Sequence, residues 1–263
     1  MSKILITSGC SFSECLSTVV DTWPRHLYKH LQNYGFSEHI SSAMGSQGNG
    51  LISRGIIYNV SEALKKYSSE EILVGVMWSH SSRLDYRCTN PNLLSWGNQN
   101  TDGWIENPTS FVKDAEKRWV ILNHNWEGNT EATTYYKYFY DYIGSVIYSL
   151  EHILRTQYYL KSKGIKYFFT NFSDNNIIDF TSSDTEIFKN ELYYLYDEID
   201  KSPYLPVSSE HRWIYENSKT KDEFIKNHMY NNRMSVWIHP NTDQHKEFTD
   251  QVIMPWLKEK NYI

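Results

Sequence analysis

The first chemistry this chain offers is a hydroxyl at the end of a buried strand. The apolar run Ile4-Leu5-Ile6 feeds directly into Thr7-Ser8-Gly9-Cys10-Ser11-Phe12-Ser13. A short strand closed by a Gly-x-Ser turn ahead of a helix presents a serine side chain at the carboxyl edge of a sheet, where α/β folds place their reacting groups. Ser11 is therefore a candidate nucleophile; the competing reading is a turn of small residues bonded to nearby backbone. Arg83 follows another apolar run and is a candidate anion or substrate anchor, because a guanidinium offers a rigid fork of donors, or else a structural ion pair. His26 and His30 stand at helical spacing, but no nearby Glu completes a metal motif, so they read as solvated helix residues. His245, after His239, reads as a surface-helix residue. No metal and no cofactor is expected.

These side chains need elements to position them. Trp23, Leu27 and Leu31 mark a helix over about 22–34 that Gly35 stops. A short strand near Ile40 ends in the glycine-rich turn Ala43-Met44-Gly45-Ser46-Gln47-Gly48-Asn49-Gly50. Leu51, Ile52, Ile56, Ile57, Val60, Ala63, Leu64 and Tyr67 then follow the spacing of one apolar helical face. Ile72 to Trp78 is almost continuously apolar, as a strand covered on both faces of a parallel sheet should be. From Asp85 to about Asn129 periodicity disappears and Trp96, Trp104, Trp119 and Trp126 stand among Asn, Gly and Pro. That stretch reads as an insertion whose tryptophans either form an aromatic platform for a sugar ring or pack an irregular loop. One long helix is expected over 134–163, closed by Gly164, then a strand over 167–170. A second irregular insertion is expected over about 197–235, and a last helix from about Thr242 that Pro255 bends or interrupts.

Strands alternating with helices predict an α/β fold, a flavodoxin-like three-layer α/β/α sandwich on a mainly parallel sheet, with the working loops at the strand carboxyl ends. The 263 residues, 40% hydrophobic and 16% aromatic, suffice for one enzyme-sized domain with a sizeable core. A formal charge of −5, with both signs interleaved, carries no basic stripe, which argues against a nucleic-acid partner. Cys10, Cys15 and Cys88 cannot make a disulfide framework and include no Cys-x-x-Cys pair, which fits a reducing compartment. No signal peptide and no membrane-spanning run is read in the sequence, so a soluble, cytoplasmic protein is expected.

Four segments fall at loop positions expected on one edge of the sheet: Gly9-Cys10-Ser11-Phe12-Ser13, Gly45-Ser46-Gln47-Gly48-Asn49, Trp78-Ser79-His80-Ser81-Ser82-Arg83 and His239-Pro240-Asn241. In order and spacing they resemble the blocks of the SGNH/GDSL hydrolases, most closely the divergent members in tailed-phage genomes. The resemblance implies that Ser11 is the nucleophile and His239 its base. It also implies that Gly48 offers a backbone N–H to an oxyanion together with the Ser11 amide, a donor that typically contributes about 3 kcal/mol. Two positions depart from the family pattern. Ser79-His80 stands where the third block brings an asparagine, leaving Asn49 or Ser79 as substitutes, and Val236 stands where the acid that orients the histidine should be, with Trp237 beside it. A Ser–His dyad, or an acid from elsewhere, is then required. The resemblance implies a hydrolase of small-molecule or glycan esters, with carbohydrate O-acetyl groups the first substrates to test. An acyltransferase using the same residues, or a phage binding or assembly protein that kept the fold and lost the reaction, are the alternatives.

Overall fold

The computed structural model describes residues 2–14, 20–88, 118–122, 130–173, 192–222 and 239–263. The strands β1 (Lys3–Ser8), β2 (Phe36–Ser41), β3 (Ile72–Trp78), β4 (Leu84–Cys88), β5 (Arg118–Leu122) and β6 (Lys166–Asn171) fall into two sheets. The larger is wholly parallel in the order β2-β1-β3-β6, and the smaller is the antiparallel ribbon β4-β5.

Strand alternation divides the core into two layers. Ile4, Ile6, Val74 and Val76 point to one face and meet Ile52, Ile56 and Val60 of α2 (Asn49–Ala63) and Val146, Leu150 and Ile153 of a long helix described below. Leu5, Leu73, Met77 and Phe168 point to the other. There they meet Trp23, Leu27 and Leu31 of α1 (Trp23–Leu31) and Phe248, Ile253 and Leu257 near the carboxyl end. The chain is thus an α/β protein with helices on both faces of a parallel sheet. Gly75 in the middle of β3 is required by this packing, since a Cβ there would lie 2.6 Å from the Phe168 ring and 3.2 Å from Trp23.

Gly35 (φ 86°) ends the turn after α1 and Gly164 (φ 66°) follows the long helix, both in the left-handed region expected of helix-stopping glycines. The long helix itself differs from the expectation of a single element. It divides into α3 (Thr130–Tyr138) and α4 (Tyr142–Ser162), because Asp141 accepts the Gly144 N–H at 2.7 Å and caps a new helix, leaving Phe139 exposed in the break. The region expected to be irregular from 197 holds a further helix, α5 (Glu210–Asn217), started by Ser209, whose Oγ accepts the Arg212 N–H at 3.0 Å. The expected loss of regular structure after Asp85 is also corrected: Leu84–Cys88 and Arg118–Leu122 pair as the β4-β5 ribbon, too short to show in the sequence periodicity. The carboxyl-terminal helix begins at Thr242 as expected, with α6 (Thr242–Phe248) passing through a wide π turn at Thr249–Ile253 into α7 (Met254–Glu259). Pro255, which brings no N–H, sits in the first turn of α7, so the π turn absorbs it without ending the helix. No helix among the described residues is long and apolar enough to cross a membrane.

Because β2 lies on one side of β1 and β3 on the other, the chain reverses direction across the sheet between β1 and β3. In open α/β sheets that reversal opens a crevice at the carboxyl ends of the strands. The turns after β1 and β3, carrying Ser11 and Ser79, border it.

Candidate active site

The turn after β1 is built by exclusion. A Cβ on Gly9 would fall 2.4 Å from Ser13 Oγ and 3.2 Å from the Met77 Cβ, so only glycine lets the chain leave the strand here. Ser11–Ser13 then makes one tight helical turn, closed by the Ser13 N–H on the Cys10 carbonyl at 2.9 Å. Ser13 is buried, accepting the Trp23 Nε1–H at 2.8 Å and lying 3.4 Å from Met77 Sδ. Ser11 is held differently. It remains partly exposed, and its Oγ lies 2.6 Å from His239 Nε2.

His239 reaches that place from the far end of the sequence because its neighbours anchor it. Pro240 is buried, and Asn241 caps α6 reciprocally with Gln244, each side chain taking the other's backbone N–H at 2.9 Å. The imidazole leans on Phe12, with ring centroids 4.9 Å apart. Phe12 also meets Phe172, just beyond β6, at 5.3 Å and His245 at 6.5 Å. Residues from the ends of β1 and β6 and the start of α6 therefore make one aromatic wall beneath the Ser–His pair.

His245 is not the surface residue expected from its place early in a helix. It is buried, and its Nδ1 lies 2.6 Å from Glu210 Oε1. Burial pushes the Glu210 carboxyl up, opposed by the His245 imidazole. This acid–histidine pair belongs to α5 and α6 and supports Phe12 from below. His26 and His30 do not face a common ligand: His26 Nε2 lies 3.1 Å from the Asp21 carbonyl and His30 Nε2 2.6 Å from Asp250. Val236 and Trp237, where the family's orienting acid would fall, lie outside the described residues, as do Cys15 and the tryptophans at 96, 104 and 126.

The second and third blocks come together around a residue that sequence reading passed over. Asp85, buried at the start of the ribbon, accepts the Gly48 N–H at 3.0 Å on Oδ1 and the Leu51 N–H at 2.9 Å on Oδ2. Burial pushes its carboxyl up to about 6, against the pull of those two amides and of Arg54 and Arg83. The Gly48 amide is therefore given to Asp85, which differs from the oxyanion role the resemblance implies for it. Gly48 has a packing reason to be glycine: a Cβ would lie 2.7 Å from Asp85 Oδ2 and 2.8 Å from the Arg83 carbonyl. Asn49 and Ser79 are joined to each other. Asn49 Oδ1 accepts the Ser79 N–H at 2.8 Å, and its Nδ2 donates to the Ser79 carbonyl at 3.1 Å and to Ser149 Oγ at 3.0 Å. Arg83 Nη1 donates to Ser79 Oγ at 2.7 Å, and its guanidinium lies 5.2 Å from the Phe172 ring centroid.

No family model matches this sequence, and no curated protein matches it either. Among solved structures the chain is similar to TesA, with 12% identity and a TM-score of 0.47 over 98% of this chain and 99% of that one. It is also similar to the protein YxiM of Bacillus subtilis, with 11% identity and a TM-score of 0.46 over 99% of this chain and 57% of that one.

Of the residues singled out in the sequence, the structure brings Ser11 to His239, and Asn49 and Arg83 to Ser79. It separates Gly48 from an oxyanion role by giving its amide to Asp85. Three contributors were missed. Phe12 is given no role in the sequence reading of its turn, Glu210 lies in a stretch read as irregular, and Asp85 stands at the edge of the expected insertion. The one available signal for Asp85 was a carboxylate directly after a polar turn that follows a buried strand.

Proposed function

We propose that the protein is a serine hydrolase of the SGNH type, acting on esters by acyl transfer. The observation that carries this reading is the 2.6 Å approach of Ser11 Oγ to His239 Nε2 at the carboxyl edge of a parallel sheet. A serine hydroxyl becomes an effective nucleophile when a neighbouring imidazole takes its proton. In the proposed reaction His239 Nε2 removes the Ser11 proton as Oγ bonds to the ester carbonyl carbon. The same imidazole then protonates the departing alcohol as the ester C–O bond breaks. Water repeats the sequence on the acyl-enzyme, releasing the acid and restoring Ser11. The oxyanion is assigned to the Ser11 N–H, with Arg83 supplying positive charge on the Phe172 side. The aromatic wall of Phe12 and Phe172 keeps the imidazole in register. O-acetyl groups on carbohydrates are the substrate class proposed for it.

A steady-state assay on p-nitrophenyl acetate and on O-acetylated sugars tests this. Wild type should turn over, and Ser11→Ala and His239→Ala should each lose at least about 10³-fold in kcat. Turnover that survives in Ser11→Ala would refute the assignment. The commitment of the Gly48 amide to Asp85 favours a second reading, a binding protein that kept the fold without the reaction. It predicts no turnover by wild type on any ester and unchanged ligand binding in Ser11→Ala.

A further inference from the structure

Beside the start of α2 lies a cavity of about 470 Å³, within the range of small-molecule sites. Ser11 and His239 do not line it. The charged side chains on its wall are already engaged. Both Asp85 oxygens accept the Gly48 and Leu51 amides, Arg83 Nη1 donates to Ser79 Oγ, and Arg54 has an interaction of its own. Several uncharged polar groups on the wall, by contrast, lack a partner among the described residues. Ser81 Oγ makes no hydrogen bond there, and Ser149 Oγ accepts from Asn49 Nδ2 at 3.0 Å while its own proton has no acceptor. Neither ring nitrogen of His152 is bonded. Burial, aided by the charges of Arg155 and Arg54, pushes that imidazole down to about 4, so at neutral pH it offers one donor and one acceptor.

Glycine at position 50 lets His152 approach. A Cβ there would lie 3.0 Å from His152 Nε2, so any larger residue would push the imidazole off the start of α2. Aromatic rings complete the wall. Tyr86 and Tyr135 meet edge to face with centroids 6.3 Å apart, and Tyr135 is braced by Tyr136, whose hydroxyl donates to the Ser82 carbonyl at 2.6 Å. Tyr148 also lines the cavity and keeps 56% of its surface exposed. A ligand matched to this wall covers apolar rings and exchanges hydrogen bonds with hydroxyls and a neutral imidazole, without a charge to be neutralised. Sugars have that combination: the C–H face of a pyranose packs on an aromatic ring while the hydroxyls around its rim donate and accept.

We propose that this cavity binds an uncharged sugar, its ring lying against Tyr135 and Tyr148 and its hydroxyls bonded to Ser81, Ser149 and His152. The proposal is independent of the reaction assigned to Ser11. Titration of the full chain with glucose, galactose and N-acetylglucosamine, followed by calorimetry and by ligand-observed NMR, tests it, with cyclohexanol and glucuronate as comparisons. At least one of the three neutral sugars should bind one to one at millimolar concentration or below, cyclohexanol should not bind, and glucuronate should bind no tighter than glucose. Tyr148→Ala should weaken the binding about fivefold or more, Tyr148→Phe should keep most of it, His152→Leu should weaken it to a similar degree, and Ser11→Ala should leave it unchanged. Tyr148 is exposed, so its variants carry the test should His152→Leu lose its native circular dichroism. The proposal is overturned if no neutral sugar binds wild type, if cyclohexanol binds equally, if glucuronate binds tighter than every neutral sugar, if Ser11→Ala abolishes the binding, or if the folded Tyr148→Ala variant binds like wild type.

Discussion

Ser11 and Ser13 are two positions apart and meet opposite surroundings. Ser13 is enclosed by Gly9, Trp23 and Met77, whereas Ser11 is partly exposed beside His239. Replacing Ser13 by Ala leaves the buried Trp23 indole N–H without its acceptor, which should cost about 1–3 kcal/mol in denaturant unfolding. It should spare the reactivity of Ser11, so a comparison of the two alanine variants separates the structural serine from the reacting one. Gly9→Ala forces its new methyl against Ser13 Oγ and should cost about 1–3 kcal/mol, measured the same way, while lowering turnover by displacing Ser11. Ser11 was legible in the sequence because a Gly-x-Ser turn directly follows an apolar run. His239 was legible only through resemblance, since nothing local distinguishes a histidine before a proline. Phe12 was not legible: its role comes from rings contributed by residues 160 and more positions away.

At the scale of elements, Asp85 fixes the entrance of α2 by taking two of the helix's first amide protons. Its folded pKa lies above the ordinary 3.8, at about 6, so within that window the folded protein keeps a proton the unfolded chain has released. Asp85 therefore favours the fold most at the acid end, and this contribution is lost as the pH rises through about 6. Asp85→Asn removes the titration. The stability difference between wild type and Asp85→Asn, measured by urea unfolding from pH 4 to pH 7, should shift against wild type as pH rises, by a few kcal/mol at most. A difference that is flat or moves the other way would show that Asp85 stays ionised throughout. Asn241→Ala should cost about 1 kcal/mol of stability through loss of the α6 cap and should reduce turnover, because the cap holds the backbone next to His239. Long periodic elements such as β3 and α2 were readable from their sequence. The β4-β5 ribbon was not, because each strand has five residues and the pairing spans an intervening segment whose composition suggests loop.

Across the whole molecule, the parallel sheet brings chain positions more than two hundred residues apart to one edge, where the proposed reaction needs them. The fold class was readable because strands with continuous apolar runs alternate with amphipathic helices. The break between α3 and α4 was not, because the apolar period continues through it and only the Asp141 cap decides. Two half-buried histidines on different parts of the fold, His39 beside Thr7 and His152 beside the cavity, are both pushed down from 6.5 to about 4, chiefly by burial. Their neutral forms support the fold above pH 6.5, and that support is lost as the pH falls towards 4. Calorimetry of His39→Gln between pH 4.5 and 7.5 should therefore show a smaller acid decline in Tm than wild type; an equal decline would remove His39 from this account. The central claim is an activated Ser11, and labelling with a fluorophosphonate probe, followed by mass spectrometry of the modified peptide, tests it most directly. A stoichiometric adduct on Ser11 that is absent in Ser11→Ala and in His239→Ala is the predicted result. No adduct on wild type, or one on a different serine, would contradict it.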